Sequence, residues 1–108
     1  MRRLLATVLI LTSLACRGMA QEPDPRSERG KELATSMCAQ CHAIGTTDIS
    51  PHPGAPAFRA LEKRLDLDSF VSRLRENLTS GHSDMPTFRF TRDDARALVA
   101  YLRSIQGS

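Results

Sequence analysis

The residues of this chain whose types and spacing suit chemistry best are Cys38, Cys41 and His42, in the run Cys38-Ala39-Gln40-Cys41-His42. Two cysteines three positions apart share one face of a helical turn, so both sulfurs address the same object. The adjacent imidazole can place a neutral nitrogen on a metal beside them. This C-x-x-C-H spacing suits a haem, whose two vinyl groups take the thiols while the histidine ligates iron from the proximal side. No second C-x-x-C-H occurs, so one covalent haem c is expected. A cysteine pair has two other common uses. A thioredoxin-like redox centre belongs beside a βαβ pattern, and the sequence holds no convincing strand. A zinc site would need His42, His52 or His82 to complete a tetrahedron, and these lack the paired H-x3-5-H spacing of finger-like sites.

A haem iron held by His42 takes a sixth ligand or leaves that position open. Met85, followed by Pro86, is the expected distal ligand, because a thioether is soft, uncharged and raises the reduction potential. Pro86 would stiffen the chain next to it by fixing its own φ. Most methionines fill cores, and Met37, in a helix beside Cys38, reads that way. Met85 stands in a polar stretch, Gly81-His82-Ser83-Asp84-Met85-Pro86-Thr87, with little to pack on. His82 is the main rival ligand, and His52 a weaker one.

These residues need elements to hold them. Asp24 followed by Pro25 reads as an N-cap with proline at N1, opening a helix to about Gln40 with Leu33 and Met37 on one face. Residues 43–57 hold three prolines and two glycines and read as an irregular loop. Phe58 to Leu65 forms a short helix. Asp68 reads as the N-cap of a third helix, in which Phe70, Val71, Leu74 and Leu78 recur at helical period and which Thr79-Ser80-Gly81 ends. After a second loop over 80–90, Thr91 caps the last helix, with Asp93 and Asp94 in its first turn. Ala95, Leu98, Val99, Leu102 and Ile105 form its apolar stripe, and Gly107 falls just past its end.

Residues 1–20 read as a secretory signal: Arg2 and Arg3, an apolar run from Leu4 to Leu14, then small residues at Gly18-Met19-Ala20. That run is short for a membrane span, so no span is expected in the mature form. Lipidation at Cys16 is the alternative, although Ser13 stands where that processing prefers an aliphatic residue. The 108-residue chain has 15 basic and 12 acidic residues. Arg2, Arg3 and Arg17 account for the whole excess, so residues 21–108 are formally neutral and nucleic acid is not an expected partner. Those residues make one small domain with a marginal core of its own. A large apolar cofactor would complete it, and the apo-protein is expected to fold poorly.

Taken together, the chain resembles the class I c-type cytochromes, the small monohaem electron carriers, over essentially all of residues 21–108. The resemblance implies an all-α cytochrome c fold of about four helices, with loops wrapped around one covalent haem. It also implies that Gly30 lets the first helix cross the last one closely, with Tyr101 packed near it. The aromatic residue common four positions after that glycine is replaced by Ala34. Pro56 resembles the proline whose carbonyl accepts the proximal histidine's Nδ1 proton, with Pro53 as the alternative. No tryptophan is present to hold a haem propionate, and Arg59 is the candidate for that role. Four-helix cytochromes of the c-prime type carry C-x-x-C-H near the C-terminus, which fits this chain badly.

The implied function is that of a periplasmic monomeric carrier. It would shuttle single electrons in transient encounters with a redox enzyme or respiratory complex, without catalytic residues of its own. The alternatives are a peroxidase-like haem enzyme, using His82 and Asp84 over an open iron, and a gas sensor with a displaceable Met85.

Overall fold

The computed structural model describes Gly18, residues 22–78 and residues 84–108. The expected export signal (apart from Gly18), Cys16 and His82 lie outside the described residues. Among those described, the regular elements are three α-helices and one 3₁₀ helix: α1 Pro25–Met37, the 3₁₀ helix Phe58–Lys63, α2 Leu67–Arg75 and α3 Arg92–Ile105. The family-implied all-α architecture is what forms. The extended structure described is limited to one isolated antiparallel bridge, Leu78 to Phe88.

Helix α1 starts as its sequence dictates. The Asp24 carboxylate accepts the Arg26 N–H at 3.0 Å, and Pro25 occupies a position whose missing N–H leaves nothing unsatisfied. The helix stops at Met37 rather than near Gln40, because the backbone turns at Cys38, where φ is −121°. The Ala34 carbonyl takes the N–H groups of both Cys38 and Ala39, and the Cys38 carbonyl takes those of Cys41 and His42. The cysteine motif is therefore a series of tight turns. Met37, expected to pack, is 37% exposed.

The main contact in the molecule is the crossing of α1 over α3. A Cβ at Gly30 would lie 2.0 Å from the Ala97 carbonyl oxygen and 2.8 Å from Tyr101 Cβ. Only hydrogen fits there. Ala34 is completely buried, so the small residue in place of an aromatic is accommodated in the core. At the rim, Arg29 pairs with Asp94 at 3.3 Å.

Helix α2 is capped by Asp66, whose carboxylate accepts the Asp68 N–H at 2.9 Å, and not by Asp68. It ends at Arg75, short of Leu78, because Asn77 adopts φ 73°. The chain then pairs with its own returning segment: Leu78 donates to the Phe88 carbonyl at 2.8 Å, and Phe90 to that of Leu74 at 2.9 Å. These bonds fix the base of the loop that carries Met85. Asp68, freed from capping, forms an ion pair with Arg103 of α3.

Helix α3 is capped by Thr91, which accepts the Asp94 N–H at 3.2 Å. It buries Ala95, Leu98, Val99, Leu102 and Ile105 together with Ala97 and Tyr101. Gln106 then ties the C-terminus to the 3₁₀ helix, donating to the Phe58 carbonyl at 2.7 Å and accepting the Glu62 N–H at 3.0 Å.

Candidate haem site

The helices enclose a cavity of about 320 Å³, and the chemistry-bearing residues of the sequence meet in its walls. Cys38, Cys41 and His42 line it from the turns after α1. Met85 lines it from the loop between α2 and α3, and apolar side chains from the 3₁₀ helix, α2 and α3 form much of the wall, among them Leu61, Phe70, Leu74 and Leu98. Such a wall suits a flat apolar group with a few polar handles.

His42 shows how the long loop serves the site. Its Nδ1 lies 2.8 Å from the carbonyl oxygen of Pro56. A carbonyl can only accept, so Nδ1 carries the proton and Nε2 keeps its lone pair for a ligand. The ring also packs on Phe58, with centroids 5.1 Å apart. The loop that delivers Pro56 is itself stapled. Asp48 accepts the N–H groups of Ile44 and Gly45, Ser50 accepts that of Ala43, and Phe58 donates to the Ala43 carbonyl at 2.9 Å. Tyr101 closes it from α3, donating its hydroxyl to the Ile44 carbonyl at 2.5 Å. Burial pushes this phenol's pKa above its ordinary value.

Cys38 and Cys41 are both half-buried free thiols. Burial pushes the Cys38 thiol up to about 11. Redox-active cysteines depend on the opposite shift, which makes thiolate at neutral pH, and no βαβ unit occurs among the described residues. Nor do any three of His, Cys, Asp and Glu among the described residues stand close enough to hold a metal ion. The geometry thus favours neither a thioredoxin-like centre nor a tetrahedral zinc site.

Arg59 is the residue the resemblance offers for a haem propionate. It does not line the cavity. Its guanidinium donates to the Asp48 carbonyl at 2.8 Å and stands 3.6 Å from the Asp48 carboxylate. Arg64 and Arg73 do line the cavity, a placement that helical periodicity alone does not distinguish from a solvated face. His52 and Asp84 also line it and face each other at 3.5 Å. That pairing joins two loops and left no trace in local sequence.

The residues fit a covalently held haem on chemical grounds: two free thiols, a histidine with its second nitrogen committed, a thioether and an apolar wall around one cavity. Comparison with known proteins agrees. A family model described as cytochrome c matches residues 27–106. Cytochrome c-552 of Bradyrhizobium diazoefficiens (strain JCM 10833 / BCRC 13528 / IAM 13628 / NBRC 14792 / USDA 110) is 30% identical over 77 residues, covering 71% of this chain and 72% of that protein. No solved structure gives a significant match. With the motif, the crossed helices and the relatives in agreement, the chain belongs to the cytochrome c family, whose members are electron carriers with covalently attached haem c.

Proposed function

We propose that the protein is a periplasmic carrier of single electrons, exported by residues 1–20 and folded as one domain over 21–108. The observation that carries this reading is the His42 imidazole, fixed at Nδ1 on the Pro56 carbonyl and lining one cavity with Cys38, Cys41 and Met85. In this reading Cys38 and Cys41 are the covalent anchors, His42 Nε2 the proximal ligand and Met85 the distal one. When bound, haem supplies an iron that gains and loses one electron.

The protein's own residues do the rest. The Pro56 carbonyl sets the tautomer and orientation of His42. The leucine and phenylalanine walls exclude water, and Pro86 stiffens the approach to Met85. Arg64 and Arg73 bring positive charge to the cavity, where the carboxylates of the cofactor need partners. A carrier with both axial positions filled has no vacant place for a substrate, so no catalytic residue is assigned. The partner, a periplasmic redox enzyme or respiratory complex, would dock transiently on a monomer. Among the described residues no helix is long and apolar enough to cross a membrane.

Substitution tests the ligand set. Met85→Ala should lower the reduction potential and abolish the weak far-red band of methionine-ligated ferric haem, while His82→Ala leaves both nearly unchanged. The reverse pattern would assign the distal position to His82.

A further inference from the structure

The contact between His52 and Asp84 plays no part in holding the cofactor by the reading above, yet it spans the cavity lining between the two ligand-bearing segments. The His52 Nε2 stands 3.5 Å from an Asp84 carboxylate oxygen, and Asp84 directly precedes Met85. On the other side, His52 is anchored to the proximal segment: its N–H donates to the Cys41 carbonyl at 3.1 Å. Its Nδ1 accepts the Gly54 N–H at 3.2 Å. An accepting Nδ1 leaves the proton of the neutral ring on Nε2, facing Asp84. The backbone of His52 is therefore held by the chain beside His42, its ring is held by the Gly54 N–H, and the ring faces the residue beside Met85.

We infer that His52 is a positioning residue that tethers the Met85 segment through Asp84, and so sets how readily Met85 leaves the iron. The inference rests on Met85 being the distal ligand. At 3.5 Å the pair is a long polar contact, in which the Nε2 side of the ring faces an acceptor oxygen of Asp84. Both side chains are substantially exposed, at 43% and 75%. A contact of that kind shifts an equilibrium by roughly 1.5- to 5-fold. A shift of that size is small for global folding but measurable in ligand exchange, where it acts on one local opening.

The test is imidazole binding to the ferric holoprotein, with imidazole chosen because it is neutral at alkaline pH and competes directly with Met85. His52→Ala and Asp84→Ala should each tighten imidazole binding about two- to fivefold, and the double variant should tighten it no further. His52→Gln, whose terminal amide carries a donor near the position of Nε2, should return toward wild type. Unchanged affinity in His52→Ala, or additive effects in the double variant, would overturn the tether while leaving the ligand assignment intact. Absence of the far-red methionine band in the wild type would overturn the assignment of Met85 itself, and with it the tether.

Discussion

The imidazole of His42 is committed on one side only. The Pro56 carbonyl holds Nδ1 at 2.8 Å and Phe58 restrains the ring plane, while Nε2 is left to a ligand. Of the two prolines the resemblance offers, Pro56 is the one whose carbonyl lies at hydrogen-bond distance from Nδ1. The arginines differ in the same local way. Arg59 is spent on Asp48, whereas Arg64 and Arg73 line the cavity. A positive charge near the iron favours the ferrous state, so Arg64→Gln or Arg73→Gln should lower the reduction potential by tens of millivolts. An interaction of ~1 kcal/mol corresponds to about 40 mV for a one-electron couple. Arg59→Gln should change it less, and equilibrium redox titration of the three variants separates these outcomes.

Helices α1 and α3 position the site by touching backbone to backbone at Gly30. Gly30→Ala would force a methyl group into the Ala97 carbonyl, and the helices must part. A loss of about 3 kcal/mol or more is expected, seen as a lower denaturation midpoint without a change in the haem anchors. Tyr101, one turn beyond Ala97, couples the same helix to the proximal loop. Its folded-state pKa is raised, so the folded protein keeps the phenolic proton after the unfolded chain has lost it. Stability from this group is complete below the ordinary tyrosine value near 10 and falls as pH rises through the folded value. Tyr101→Phe should be less stable at neutral pH by about 1 kcal/mol, for the lost hydrogen bond. It should also show a shallower loss of stability above pH 10 in denaturant titrations.

The N-cap at Thr91, the start at Asp24 and the stripe of α3 were all readable from local sequence, because capping and period are local signals. The ends of α1 and α2 were not. Helix α1 ends where the chain turns at Cys38 and the Ala34 carbonyl is shared, and α2 ends before Asn77 at φ 73°, after which Leu78 pairs with Phe88, a residue the chain brings back from a distance.

For the molecule as a whole, the cysteine motif and Met85 were legible as chemistry, but their meeting in one cavity depends on every element at once. The core is built around that cavity: Leu74 and Leu102, fully buried, line it. A small domain of this kind completes its interior with its cofactor, and an iron with both axial positions filled by protein exchanges electrons without binding a substrate. Ligand competition tests this central claim most directly. Carbon monoxide should bind the ferrous holoprotein slowly, at a rate limited by departure of Met85. The ferric protein should react sluggishly with peroxide, while a small redox dye exchanges electrons with it rapidly in both directions. Fast carbon monoxide binding together with peroxide turnover at neutral pH would contradict the account, showing an open distal position and a haem enzyme in place of a carrier.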